Sequence, residues 1–89
     1  MKKSDILALF KILQAYYGKK FDLPEKPENL ELMILTWYEF LAEYDYEIVK
    51  VAAKRLMVNS EWPPTPGEII KEIENSKAPE ADQLDAGQA

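Results

Sequence analysis

The residue group that comes closest to a chemical motif in this sequence is Gly18-Lys19-Lys20. A phosphate-binding loop needs another glycine five residues before the Gly-Lys pair, and a serine or threonine directly after the lysine. Leu13 and Lys20 occupy those two positions. We therefore predict that Gly18 ends a helix and that the two lysines lie in solvent.

Acidic side chains form two groups that could bind a metal ion or share a proton. Those of the first group lack the spacing of a calcium loop and lie where acids favour the start of a helix: Asp22, Glu25, Glu28 and Glu31. Glu39 and Glu43 lie one helical turn apart, without a nucleophile or an acid/base partner nearby in sequence. Because the chain also has no histidine and no cysteine, we expect no catalytic residue, no metal and no cofactor, and hence no enzyme.

The charge of the chain is divided unevenly along its length. Residues 1–60 hold nine acidic and nine basic side chains, 9 − 9 = 0, whereas residues 61–89 hold two basic and seven acidic ones, 2 − 7 = −5. Lys50, Lys54 and Arg55 form the only basic face of a predicted helix, too small for strong attraction to phosphates. We expect a protein partner and no direct binding of nucleic acid.

The compartment can be predicted from cysteine usage and hydropathy. The apolar run from Ile6 to Leu13 is interrupted by Lys11, and no stretch approaches the roughly 20 apolar residues of a membrane span. The absence of cysteine fits a reducing environment. We therefore expect a cytoplasmic protein without a membrane segment.

Apolar residues recur at three- and four-residue spacing in four segments, which predicts an all-α, compact bundle of about four helices over residues 1–76. The first helix follows an N-cap at Ser4 and ends near Gly18, and the second begins near Glu28. The second is expected at the centre of the core, with this stripe: Leu30, Met33, Ile34, Trp37, Leu41 and Tyr44, widened by Tyr38 and Phe40. Asp45 is the N-cap of the third helix, whose stripe is Ile48, Val49, Ala52, Ala53 and Leu56.

The connection between the third and fourth helices, residues 59–65, carries the densest structural signal. Pro63 and Pro64 exclude helical geometry and force an extended corner. Thr65 then caps the fourth helix, Pro66 occupies its first position, and Glu68 completes a Thr-x-x-Glu capping box. Trp62, before the two prolines, either caps the bundle by stacking on its neighbours or presents an aromatic anchor to a partner.

The C-terminal segment differs from the rest in composition. The fourth helix is expected to end near Ser76, and residues 77–89 contain a single aliphatic side chain, Leu84. Because so little apolar surface cannot offset the entropy of ordering, we predict a disordered acidic tail. The candidate partner-binding residues are Trp62, Glu80, Asp82, Leu84 and Asp85.

In order and spacing, these elements resemble the phage replicative helicase loader and inhibitor family over about residues 6–73. The resemblance lies in four runs: Tyr16-Tyr17-Gly18-Lys19-Lys20-Phe21, Leu35-Thr36-Trp37-Tyr38-Glu39-Phe40-Leu41, Tyr46-Glu47-Ile48-Val49 through Arg55, and Trp62-Pro63-Pro64-Thr65-Pro66-Gly67-Glu68-Ile69. It implies a small helical protein that binds a hexameric replicative helicase, holds it inactive and delivers it to the origin. An initiator protein and a single-strand-binding protein are the other partners implied, in the cytoplasm of a bacterial host, and ATP is not hydrolysed. The family is also described by an ordered N-terminal domain and a flexible C-terminal part that grips the helicase.

Two other interpretations remain open. Helices three and four could form a helix-turn-helix of a small nucleic-acid-binding or regulatory protein, although the connection is longer and stiffer than that motif uses. Alternatively, an exposed aromatic surface could make the chain an assembly protein that forms oligomers.

Overall fold

The computed structural model describes the backbone of residues 1–82 and the side chains of residues 1–76. It contains α1 (Lys3–Tyr17), a 3-10 turn (Gly18–Lys20), α2 (Pro27–Leu41), α3 (Tyr46–Val58) and α4 (Pro66–Asp82). The described residues contain no strand. The predicted all-α class with four helices is confirmed.

The ends of α1 show how local sequence sets a helix boundary. Ser4 lies inside the helix, so its prediction as N-cap was wrong: the helix begins at Lys3, and the Asp5 carboxylate accepts the Lys2 amide at 2.9 Å. At the other end Gly18 has φ 64° and ψ −127°, and its amide donates to the Gln14 carbonyl. Glycine is suited to this position because side chains with a Cβ rarely adopt positive φ.

The centre of the core lies on α1 and not, as predicted, on α2. Four α1 side chains are fully buried, each 0% exposed: Ile6, Leu9, Phe10 and Leu13. From α2 only Trp37 and Leu41 are buried, and α3 and α4 add Val49, Ala52, Ala53, Met57, Ile69 and Ile73. The two alanines allow α3 to lie close to its neighbours.

An aromatic cluster joins α1, α2 and the loop between them. The Phe10 ring meets the Trp37 ring edge-on at 5.1 Å between centroids and the Phe21 ring at 5.6 Å. Phe21 is 6% exposed, so its ring anchors this loop to the core. Such edge-on pairs add about 0.5 to 1.5 kcal/mol beyond the burial of apolar area.

Some apolar residues of the predicted stripes lie at the surface. Phe40 is 55% exposed and Ile48 46% exposed, whereas Met57, which lies outside the predicted stripe, is 4% exposed. Helical periodicity allows a stripe of about 100° or more, but the neighbouring helices decide which part of it is covered.

The fourth helix continues to Asp82, six positions beyond the predicted end at Ser76. The extension contains the strong helix formers Ala78, Glu80 and Ala81, but also Pro79, which disfavours a helix interior, so local propensity alone does not account for it. The composition argument considered only apolar burial. The remainder of the predicted tail, residues 83–89, lies outside the described residues.

Candidate partner-binding surface

The corner between α3 and α4 is held by the predicted capping box. The Thr65 amide donates to Glu68 Oε1 at 2.8 Å, and the Glu68 amide donates to Thr65 Oγ1 at 3.3 Å. Pro66 is the first residue of α4 and Pro64 is buried. These reciprocal bonds satisfy two amides that a helix start would otherwise leave unpaired, so the corner has a defined geometry.

Side chains from the end of α1 fasten the other half of the corner. The Tyr17 hydroxyl donates to the Ser60 carbonyl at 3.2 Å, and the Lys20 ammonium donates to the Glu61 carbonyl at 3.3 Å. Ser60 Oγ lies 3.1 Å from both the amide and the carbonyl oxygen of Trp62. The backbone of Trp62 is therefore positioned by contacts that span more than 40 residues of sequence.

The Trp62 side chain itself is 66% exposed. Its ring contact is with Lys20, whose ammonium nitrogen lies 5.1 Å from the ring centroid. An exposed cation over an indole contributes about 0.5 to 1 kcal/mol, enough to orient the ring but not to bury it. The structure thus presents an oriented aromatic side chain at the surface, the geometry that the anchor interpretation of Trp62 requires.

A groove of about 720 Å³ lies between the ends of α1 and α3, and its lining includes Glu61, the residue before Trp62, and Lys20, whose ammonium lies over the Trp62 ring. We call the residues that line it, together with Trp62, the corner surface: Tyr16, Tyr17, Lys20, Met57, Val58, Asn59, Ser60 and Glu61. Within it Val58 is 72% exposed and Tyr16 56% exposed. Two exposed large apolar side chains therefore line the same groove, an arrangement typical of interaction sites, and the exposed Trp62 follows Glu61 of its lining in the sequence.

The electrostatics of the corner surface favour a neutral Tyr17. Burial of its hydroxyl raises the pKa of Tyr17 above 10.0, and the nearby Tyr16 and Glu68 add to the shift. The phenol therefore keeps its proton, and with it the hydrogen bond donated to the Ser60 carbonyl, to a higher pH than an unshifted tyrosine would.

Other predicted candidate residues lie away from Trp62. Glu80 and Asp82 belong to the last turns of α4, and at about 1.5 Å per residue Glu80 is about 21 Å along the helix from Pro66. Leu84 and Asp85 lie outside the described residues. Trp62 and the helical positions Glu80 and Asp82 therefore do not form one compact site.

The basic face of α3 is partly neutralised by neighbouring carboxylates. The Lys50 ammonium lies 3.4 Å from Glu47, and the Arg55 guanidinium lies 3.8 Å from Glu72 and donates to Ser76 Oγ at 3.0 Å. With two of its three cations paired, this face would release few counterions from DNA. This arrangement does not favour the helix-turn-helix interpretation.

The described part of the chain offers neither a metal site nor a membrane span. Residues 1–76 contain no group of three or more carboxylate, histidine or cysteine side chains arranged to hold a metal ion. Among the described helices, none is long and apolar enough to cross a bilayer.

Sequence reasoning missed Tyr16 and Val58 as members of this surface. A usable signal was present, because Ile12, Tyr16 and Lys20 follow each other at four-residue spacing, outside the core stripe of α1. The position of Val58 beside them depends on how α3 packs against α1, which no local pattern reveals.

A comparison with protein-family models decides the relationship that the corner and the helix order indicate. The G39P_N model, the N-terminal domain of the phage gene 39 protein, a helicase loader/inhibitor, matches residues 1–70. The chain belongs to the G39P_N family. No curated protein and no solved structure matches the chain.

The extent of the G39P_N match divides the candidate residues. It covers α1, α2, α3, the corner and the first turn of α4, and so includes Trp62 and the rest of the corner surface. The four acidic-segment candidates lie beyond it: Glu80, Asp82, Leu84 and Asp85. The family resemblance inferred from the sequence is confirmed.

Proposed function

We propose that this chain is a non-enzymatic adaptor of phage DNA replication that binds the hexameric replicative helicase, inhibits it and loads it at the origin. The observation that carries the proposal is the match of residues 1–70 to the N-terminal domain of a helicase loader/inhibitor. The bundle supplies a folded platform with an exposed, oriented Trp62. The adaptor acts in the cytoplasm of the bacterial host, and its further partners are an origin-binding initiator and a single-strand-binding protein.

The contact with the helicase uses charge as well as apolar surface. Residues 61–89 carry the whole net charge of −5, and in this proposal Glu80, Asp82, Leu84 and Asp85 dock on a basic surface of the helicase ring. Charge-led contacts of this kind associate quickly and release easily. Since salt screens exposed charges, the affinity falls as ionic strength rises.

The first experiment mixes the chain with a DnaB-type hexameric helicase, with and without ATP, and follows complex formation by size exclusion with light scattering. Chains ending at Asp82 and at Ser76 are tested beside the full chain. Loss of the complex at the Asp82 end assigns the grip to residues 83–89, and loss only at the Ser76 end assigns it to the last turns of α4. Binding by all three forms places the contact on the bundle, and no complex with any form contradicts helicase binding.

The role of Trp62 is tested with a matched pair of substitutions. Trp62→Ala removes an aromatic side chain that is 66% exposed, and Phe40→Ala removes one on α2 that is 55% exposed. If Trp62 is a central anchor, its removal weakens helicase binding by about tenfold or more, as at a binding hot spot. The Phe40 variant should bind like the unsubstituted chain, and equal losses in both variants would contradict a specific role for Trp62.

A further inference from the structure

A second groove lies between α1 and α3, beside the corner surface. Its volume is about 490 Å³, and its lining is Ile12, Ala15, Tyr16, Lys54, Met57 and Val58. We call it the α1/α3 groove. Tyr16, Met57 and Val58 also line the groove at the corner, so the two form one continuous surface.

The α1/α3 groove exists because small and flexible side chains lie between larger ones. Ala15 is exposed and leaves space between Ile12 and Tyr16 on α1, while Met57, 4% exposed, supplies an apolar floor. Methionine adapts its shape to different bound side chains. Val58, at the rim, is 72% exposed. Because so little of its side chain is buried, it contributes little to the stability of the bundle.

The α1/α3 groove has one charged residue in its lining, a lysine, whereas the C-terminal segment is acidic, and the adjoining groove at the corner contains both Lys20 and Glu61. The lysine of the α1/α3 groove is Lys54, and Lys20 lies at the adjoining groove over the Trp62 ring. The ion pairs of residues 1–76 are Lys50 with Glu47 and Arg55 with Glu72, and neither involves a lysine of this surface. Lys20 is bonded to the carbonyl of Glu61 and not to its carboxylate. Within residues 1–76, Lys54 is therefore available to an acidic partner, and Lys20, held by the Glu61 carbonyl and the Trp62 ring, has no carboxylate neutralising its charge.

We propose that the α1/α3 groove binds an amphipathic helix of a partner protein whose apolar face is flanked by aspartate or glutamate. Helices that dock in a groove use apolar anchors at i, i+3 or i+4, and i+7. Such anchors meet Ile12, Met57 and Val58, and the flanking carboxylates meet Lys54 and Lys20. Charge complementarity decides between an acidic and a basic helix, because a basic one places like charges together.

This inference does not depend on helicase binding. It gives the chain two docking regions of opposite charge, a basic-rimmed groove within residues 1–58 and an acidic segment within residues 61–89. An adaptor with two such regions can hold two different partners at once, since a helix suited to one region is repelled by the other.

The test uses the full chain and a fluorescein-labelled synthetic peptide, an amphipathic helix with leucines on one face and glutamates on both flanks. Two control peptides are used: one with lysines in place of the glutamates, and one with the same composition in scrambled order. Fluorescence anisotropy measures the affinity of each. We expect the glutamate peptide to bind at least about tenfold more tightly than either control, because only it matches both the apolar stripe and the charge.

Substitutions then locate the bound peptide. Val58→Gln and Lys54→Glu change exposed residues of the groove, and each should weaken binding by about fivefold or more. Lys71→Glu makes the same charge change on an exposed residue of α4, outside the groove lining, and should leave the affinity within about twofold. Circular dichroism checks that the three variants fold. We expect them to fold because none of the three substituted side chains is in the core.

Four results would overturn the proposal. Equal affinity for the three peptides would show that the groove does not recognise an apolar stripe flanked by acidic residues. Equal affinity of the groove variants and the unsubstituted chain would show that the peptide binds elsewhere. Displacement of the probe by a peptide of residues 77–89 would make this chain's own C-terminal segment the occupant. A dimer in light scattering that Val58→Gln dissociates would make the occupant a second copy.

Discussion

The capping box at the start of α4 allows the stability of the corner to be tested by substitution. Thr65→Ala leaves the Glu68 amide without the hydroxyl that accepts its hydrogen bond at 3.3 Å. Loss of an N-cap threonine costs about 1 kcal/mol of unfolding free energy, with a range of about 0.5 to 2. In a domain of this size, 1 kcal/mol corresponds to a fall in Tm of about 4 to 8 °C.

Glu68→Ala removes the other half of the box. The Thr65 amide loses an acceptor at 2.8 Å, worth about 1 kcal/mol, and the positive end of α4 loses a negative charge worth about 0.3 to 1 kcal/mol. The Thr65 hydroxyl also lies 3.4 Å from Glu68 Oε1. Because the two side chains contact each other, the double variant should lose about 0.5 kcal/mol less than the sum of the single losses.

Urea unfolding followed by far-UV circular dichroism measures these differences as shifts of the midpoint at constant slope. The control is Thr36→Ala on α2, where the hydroxyl donates to the Leu32 carbonyl at 2.8 Å within an exposed helical turn. Alanine is the better helix former, so this variant should be as stable as the unsubstituted chain or more so. The reasoning is refuted if Thr65→Ala changes stability by less than about 0.3 kcal/mol, or if both threonine substitutions cost the same.

Three further perturbations test the core, the end of α1 and the alkaline behaviour. Phe10→Ala should cost about 3 to 5 kcal/mol in urea unfolding, since Phe10 is 0% exposed, against less than about 0.5 for the exposed Phe40→Ala; similar losses would show that burial does not set the stability. Gly18→Ala should cost about 1 to 3 kcal/mol because φ is 64° there, although open space surrounds the position. Gly67→Ala, inside α4 and without a positive φ, should stabilise the fold by about 0.4 to 1 kcal/mol, and the reverse order in a thermal melt would contradict the backbone argument. The raised pKa of Tyr17 means that the fold prefers the protonated phenol, so its contribution is complete below the unfolded value of 10.0 and is lost as the pH rises through the folded value. Tyr17→Phe should therefore flatten the fall of Tm above pH 10.0, and an unchanged alkaline fall would contradict this.

The parts of the fold that were predictable depend on interactions between residues close in sequence. Gly18 as a helix end, Pro66 as a helix start and the bonds between Thr65 and Glu68 all follow from backbone geometry within a few positions. The prediction of Ser4 as N-cap also depended on neighbouring residues, and it failed. The Asp5 side chain accepts a hydrogen bond from the Lys2 amide, and the helix begins before Ser4, at Lys3. Such local competition is decided by small energy differences that residue types alone do not reveal.

The candidate site was predictable only in part. The sequence identifies Trp62 as a candidate because it stands before two prolines, outside any helical stripe, and because tryptophan is enriched at binding hot spots. Tyr16 and Val58 were not, since each is an ordinary apolar residue until α1 and α3 are packed together. Phe40 shows the converse, an aromatic at core spacing that the packed bundle leaves 55% exposed.

By itself, the sequence determined the helical class, the corner at residues 59–65, the acidic bias of residues 61–89 and the family. Periodicity, capping, charge and the order of motifs depend only on the order of residues along the chain. Only the tertiary structure decided that α1 forms the centre of the core and that α1 and α3 leave an apolar groove with Lys54 in its lining. The physical reason is that burial is a property of pairs of surfaces. An amphipathic helix specifies that it needs a partner, and the packing of all the helices specifies which of its apolar residues find one.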